Sequence, residues 1–379
     1  MGRQVQHFPG DEILLQKGTK DTVCVSIILP LHSPFSQRKE DRLILQKANS
    51  KVKEYLAQKN DGLTTELLIQ SVDDLLSSVD INIHAAGIGF FVSKNVKEII
   101  PFFLPVEEKV IVSNSFEIRD LIYQENYSFP YMVLHLTHKE ARLFEGKQNT
   151  ITEVTDGNFP RKYEDDYEYS RPSRGSSYVG DAFLKDFEQD KSRLEKLRYE
   201  QFTRDIDKLL AKYLNSGKNL LLAGVKNDLI TFQRESKHTS NIIGQLDGNY
   251  TYTPQHEFAA FVWEKIRAYT DKQKAELLSE FEEQVGNKNV VTGLPEIWKA
   301  ASEGRAYRLL VEKDYIHPAF LVTGDNIHLH LKPPMQPHLI LADAINELIE
   351  LVLSKDGEVT IFENGTLENW QRIALITRY

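Results

Sequence analysis

Short apolar runs rich in branched residues recur along this chain, and most are separated by stretches of helical periodicity. Residues 22–31, TVCVSIILPL, are continuous, partly β-branched and closed by Pro30, which reads as a buried strand. Residues 39–58 space Leu43, Leu45, Ala48, Val52, Tyr55 and Leu56 mostly three or four apart, as on one face of a helix. A second helix is expected over about 63–77. Short strands follow at 87–93, 97–103 and 109–113, with turn signals between them. A helix buries a stripe and a sheet buries a face, so such alternation is satisfied by packing helices onto sheets in an α/β arrangement.

The pattern continues beyond Ser128. Residues 131–154 read as a hairpin around His138-Lys139-Glu140, with a third strand after the Glu145-Gly146-Lys147 turn. From Asp181 the chain is expected to be helical for more than thirty residues. Phe183, Phe187, Leu194, Leu197, Phe202, Ile206, Leu209 and Tyr213 lie on one broad face, and Gly217 supplies the stop. NLLLAGV at 219–225 is, after Asn219, a continuous apolar run of strand length, as in a parallel strand covered on both sides. A helix is expected over 254–268 and another, polar-faced, from Asp271. The last section then reads as a helix end before Gly304, a strand at 305–311, and two strand-like pieces around Gly324. A long helix follows over 338–357, capped by Gly357, and strands close the chain at 358–362 and in RIALITRY. The expected organisation is three consecutive α/β domains: 1–128, 129–268 with a loop at 163–181, and 269–379. No internal repeat or low-complexity tract is visible.

Composition narrows the function classes. The net charge of −9 argues against wrapping nucleic acid along the whole chain, while leaving room for a local basic patch. The single cysteine, Cys24, cannot form an internal disulfide and sits in a strand-like run, so a buried inert thiol and a reducing compartment are expected. The N-terminal residues hold no secretory apolar region, Gln6 replaces the Ser or Thr of a myristoylation signal, and no stretch approaches a membrane span. A cytoplasmic protein without a membrane partner is the expectation.

The motifs of familiar chemistry are missing. GKNLLLAGVK lacks P-loop spacing, GIG at 87–89 does not extend to a dinucleotide fingerprint, and there is no G-x-S-x-G elbow, so no nucleotide cofactor is expected. His135 and His138 should point to opposite faces. His328 and His330 share a face of a strand but lack companion Cys or carboxylate ligands, so no metal site is expected. Glu164, Asp165, Asp166 and Glu168 form an acidic run of the kind that water solvates, and no catalytic residue is assigned.

The segment YEDDYEYSRPSRGSSYVGD, from Tyr163 to Asp181, admits two readings. It is a connector, or it presents itself to a partner: small residues let the backbone approach closely, and Arg171 and Arg174 offer phosphate-binding forks.

Three groups of segments carry a resemblance. VSIILPLH and residues 87–122 resemble the first domain of bacterial relatives of the archaeo-eukaryotic peptide release factors. YMVLHLTHKEARLFEG, LLLAGVKNDLITFQRES and GNYTYTP resemble their middle domain. AASEGRAYRLLVEKD, the helix at 343–351 and the ending GEVTIFENG…RIALITRY resemble their last domain. The resemblance implies three α/β domains like those of the class-1 release factor and Pelota, the middle one RNase H-like and the last like the Pelota C-terminal and kink-turn-binding fold. It implies that the 163–181 loop stands where release factors carry Gly-Gly-Gln. Here that place reads Ser173-Arg174-Gly175-Ser176-Ser177, so the family's catalytic residues do not carry over. The leading functional expectation is a ribosome-associated factor in termination, rescue or quality control, with Arg171, Ser173, Arg174, Gly175, Ser176 and Ser177 contacting ribosomal or transfer RNA. Two alternatives stand beside it: an ester hydrolase with Ser176 or Ser177 positioning water, and a protein-interaction module without a ribosomal role.

Overall fold

The computed structural model describes residues 23–31, 38–58, 62–79, 85–163, 180–214, 217–284 and 289–379. The acidic run at 164–168 and the loop residues Arg171, Ser173, Arg174, Gly175, Ser176 and Ser177 lie outside the described residues. The chain divides into two compact units, Met1–Asn126 with Lys274–Tyr379, and Tyr127–Gln273.

In the first unit, strand β1 (Cys24–Pro30) precedes helices α1 (Arg38–Ala57) and α2 (Gly62–Ser78). Strands β2 (Gly87–Val92), β3 (Lys97–Phe102) and β4 (Lys109–Ser113) and helix α3 (Arg119–Glu125) follow. The four strands form an antiparallel sheet in the order β3-β2-β1-β4. The alternation of β1 explains its unbroken apolar run. Val25, Ile27 and Leu29 pack with Ala48, Val52 and Leu56 of α1 and Leu68 and Val72 of α2. On the opposite face, the Ser26 hydroxyl accepts the Glu117 amide at 3.0 Å, and Cys24 is buried. Both faces are therefore covered.

The second unit holds β5 (Pro130–Leu136), β6 (Glu140–Lys147), β7 (Thr150–Glu153), β8 (Arg161–Lys162), α4 (Gly180–Leu214), β9 (Asn219–Gly224), α5 (Lys226–Glu235) and β10 (Ile242–Asp247). Its sheet runs β10-β9-β5-β6-β7, with β8 also on β6. β10, β9 and β5 are parallel, and β5, β6 and β7 form an antiparallel meander, giving a mixed sheet with helices packed on it. Met132, Leu134, Leu220 and Leu222 pack under Ile206 and Leu210 of α4 and Phe232 of α5. Tyr131, Val133, Leu221 and Ala223 face Phe258, Val262 and Ile266. Gly224 closes β9 at φ 155°, where a Cβ would stand 2.3 Å from the carbonyl oxygen of Leu136.

The helix carrying Phe258 is α6 (Gln255–Gln284), 30 residues long. The sequence suggested separate helices at 254–268 and from 271. No glycine or proline interrupts residues 268–271, and the Thr270 hydroxyl bonds back to the Ile266 carbonyl at 3.1 Å rather than capping a new helix.

The remaining elements belong to the first unit: β11 (Val290–Thr292), α7 (Leu294–Ser302), β12 (Ala306–Glu312), β13 (Ala319–Val322), β14 (Leu329–His330), β15 (His338–Leu341), α8 (Ala344–Leu353), β16 (Glu358–Phe362) and β17 (Ile373–Thr377). One sheet runs β11-β17-β12-β16 and a small one β14-β13-β15. The long helix expected over 338–357 is corrected. His338–Leu341 pairs antiparallel with Ala319–Val322, and the helix begins only after Asp343, whose Oδ1 accepts the Ile345 amide at 3.0 Å. Four apolar-rich residues between Pro337 and Asp343 carry no period of their own, so pairing with a distant strand decides their state.

Candidate functional site

The described residues that flank the 164–179 segment surround a cavity of about 590 Å³, lined by His138, Lys139, Glu140, Lys162, Tyr163 and Glu195. Three local structures bring them together. The β5–β6 turn is held by Thr137, whose amide donates to the Glu140 carbonyl at 2.9 Å and whose hydroxyl accepts the Glu140 amide at 3.0 Å. This leaves His138 and Lys139 exposed at the tip. β8 pairs with β6, setting Lys162 opposite Glu140, and the Tyr163 amide donates to the Lys139 carbonyl at 2.8 Å. Helix α4 contributes Glu195 and, one turn further on, Tyr199.

An aromatic wall closes one side. The His138 imidazole stacks on the Tyr199 ring with centroids 4.5 Å apart and planes 29° from parallel. Tyr163 meets Phe202 edge-on at 5.3 Å. Tyr199 is buried, and burial together with the nearby Asp228 carboxylate pushes its phenol well above the usual range. The His138 side chain remains 65% exposed, with Nδ1 4.0 Å from Asp228 Oδ1. The lining combines two lysines, two glutamates and an imidazole face. The described lining residues offer hydrogen-bond donors, acceptors and a ring face to a ligand.

A second cluster was missed at the sequence level. Asp207 accepts from the Ser236 hydroxyl at 2.5 Å and the Lys237 amide at 3.0 Å, and its Oδ1 lies 2.9 Å from His238 Nδ1. The residue types are those of a hydrolase triad, but the serine faces the carboxylate instead of the imidazole. Ser236 Oγ accepts the His238 backbone amide at 3.0 Å and does not bond the imidazole, so the histidine does not activate it as a nucleophile. Asp207 instead pins the chain where α5 ends. The only sequence signal was a Ser-Lys-His run after a helix.

The first unit holds a buried ionic group. Arg119 donates to both oxygens of Glu117, at 2.9 and 2.8 Å, to Asp343 Oδ2 at 2.6 Å and to the Tyr315 carbonyl at 2.6 Å. Among the described residues no group of three or more His, Cys, Asp or Glu forms a metal site. His328 lies outside β14 and its Nδ1 is 2.8 Å from Asp325, so it does not share a strand with His330. His135 is buried in β5 and His138 is exposed, as their spacing implied. Among the described residues no helix is long and apolar enough to cross a membrane.

No curated protein matches the chain in sequence. Among solved structures, archaeal translation termination factor aRF1 is 14% identical over 96% of this chain and 95% of that one, with a TM-score of 0.24. Pelota from Archaeoglobus fulgidus is 14% identical over 74% and 76%, with a TM-score of 0.36. S. cerevisiae Dom34, a translation termination-like factor involved in RNA quality control, is 13% identical over 81% and 77%, with a TM-score of 0.35. Residues 130–305, somewhat under half of the chain, match bacterial archaeo-eukaryotic release factor family 3. That segment, which holds the whole sheet of the second unit and the cavity beside it, is the part of the chain similar to this family.

Proposed function

We propose that this chain is a ribosome-associated factor acting in translation termination, rescue or quality control, without Gly-Gly-Gln-dependent peptidyl-tRNA hydrolysis. The observation that carries the reading is the match of residues 130–305 to the release factor family. The segment between Tyr163 and Asp181 reads Ser173-Arg174-Gly175-Ser176-Ser177 where the resemblance puts the family's catalytic tripeptide, which supports the non-hydrolytic reading. Arg171 and Arg174 in that segment, with Arg161 and Lys162 exposed just before it, supply cations for phosphate contacts.

Co-sedimentation with empty and with stalled ribosomes at modest salt tests the proposal. The wild-type chain is expected to pellet with one or both, and Arg171→Ala with Arg174→Ala to weaken the association and its salt dependence. A chain that stays in the supernatant with both kinds of ribosome refutes the reading.

A further inference from the structure

The lining of the cavity beside β8 restricts what fits it. A purely apolar ligand would have to lie against Lys139, Lys162, Glu140 and Glu195. A simple anion would meet two carboxylates as well as two ammonium groups. A ligand with a flat aromatic body, hydrogen-bond donors on its edge and a phosphate satisfies every group at once. The volume of about 590 Å³ lies within the range of small-ligand sites.

We propose that this cavity binds one nucleoside phosphate unit, its base stacked on His138, its phosphate held by Lys139 and Lys162, and its exocyclic amine donating to Glu140 or Glu195. The proposal rests on the ribosomal reading for its setting, but its chemistry comes from the cavity. One face of the imidazole is used by Tyr199 at 4.5 Å, and a base on the other face extends that stack. Tyr199 is fixed by burial, so the platform is rigid before a ligand arrives. The lysines come from different elements, Lys139 from the β5–β6 turn and Lys162 from β8, and the pairing of β8 with β6 brings them side by side. Carboxylates only accept hydrogen bonds. They favour cytosine, which presents an amine at position 4, over uracil, which presents a carbonyl there. The unit can come from single-stranded RNA or from a free nucleotide.

The test is fluorescence anisotropy of the full chain with labelled penta-cytidylate and penta-uridylate between 50 and 200 mM salt. Penta-cytidylate is expected to bind more tightly. His138→Ala should weaken it by ~5- to 150-fold, the range of losing one base stack, and His138→Phe should restore most of the affinity. Lys139→Gln and Lys162→Gln should each lower the salt slope by about 0.7, one phosphate contact on a single strand. His138 is exposed at a turn, so an unchanged urea midpoint for His138→Ala separates lost binding from lost folding. Competition by free CMP at comparable concentration assigns the site to a free nucleotide, and failure of CMP to compete assigns it to a polynucleotide. No binding of penta-cytidylate, or binding indifferent to His138→Ala, overturns the proposal. A chain that co-sediments with ribosomes without binding the oligonucleotide refutes the cavity alone. One that binds the oligonucleotide without co-sedimenting refutes the ribosomal reading alone.

Discussion

Arg119 and Asp343, far apart in sequence, are joined by a 2.6 Å ion pair in which the guanidinium is 2% exposed. The same guanidinium grips Glu117, itself 4% exposed. Burial alone would push the Glu117 carboxyl up, but the bonds and charge of Arg119 hold it below its ordinary value. Removing the arginine therefore leaves a buried carboxylate without its partner. Arg119→Met is expected to cost about 3–5 kcal/mol, whereas the double variant with Glu117→Leu recovers part of that because the more deeply buried of the two stranded carboxylates is gone, leaving only Asp343, which is 20% exposed. Urea unfolding of the three proteins at pH 7 checks this. A double variant no more stable than Arg119→Met would show that the loss comes from packing.

Glu312 gives the same unit an acid-sensitive anchor. It is 1% exposed, and its oxygens accept the Leu367 amide at 2.8 Å and Arg372 Nε at 2.6 Å. Burial opposes ionisation, yet these donors keep the carboxyl below the ordinary glutamate value of 4.5. As pH falls, the unfolded chain takes up this proton first. The stabilisation is thus complete above about pH 4.5 and is lost as pH drops through the folded-state value. Glu312→Gln keeps an acceptor for Leu367 but loses the charge. It is expected to be less stable at pH 7 by about 1–3 kcal/mol. It should also lose less than the wild type between pH 5 and pH 3 in urea midpoints. Parallel acid limbs for the two proteins would rule out Glu312 as the source.

How much of this was legible beforehand differs from element to element. β9 was clear because both faces of its LLLAG stretch are buried, by Leu210 and Phe232 on one side and Phe258 and Val262 on the other, so every position after Asn219 is apolar. β15 was not, because four residues contain too little pattern to separate strand from helix, and Ala319–Val322 decides the matter from a distance. The cavity was hidden for a related reason. Its charges come from a turn, a two-residue strand and a helix, and only the pairing of Arg161 and Lys162 with β6 gathers them. The stack of His138 on Tyr199 joins residues that share no motif. The loop that composition singled out, with Arg171 and Arg174, adjoins this cavity in sequence through Tyr163.

Gly146 stands opposite Tyr131 in the β5–β6 register, and the tyrosine ring occupies the space a side chain would need. A Cβ on Gly146 would lie 2.2 Å from Tyr131 Cε2. The ring cannot swing away freely, because it is fully buried and its hydroxyl donates to the Gln148 carbonyl at 2.8 Å. Alanine in place of strand glycine ordinarily helps by about 0.5–1 kcal/mol. Here Gly146→Ala is expected to destabilise by roughly 1–3 kcal/mol through overpacking. With Tyr131→Leu present, the same substitution should cost little. A double-mutant cycle measures the coupling, and additive costs would mean that the ring is not the obstacle.

His135 carries the last prediction. It lies in the middle of the second unit's sheet, 2% exposed, with its ring 5.7 Å from that of Phe258 and 6.3 Å from that of Tyr250. Nε2 is buried without a hydrogen-bond partner. Burial, reinforced by the charge of Arg142 directly across the strand pair, pulls the imidazole down from 6.5 to about 4. The folded state thus holds the ring neutral while the unfolded chain protonates it near pH 6.5, so stability is lost as pH falls from that value and the loss levels off near pH 4. The full effect is roughly 3 kcal/mol, from the size of the shift. His135→Met keeps an apolar filling without a titrating group. Its urea midpoint should therefore fall distinctly less than that of the wild type between pH 7 and pH 4.5. Equal falls over that window would mean that the imidazole is hydrated in the folded protein and does not act as a buried neutral ring.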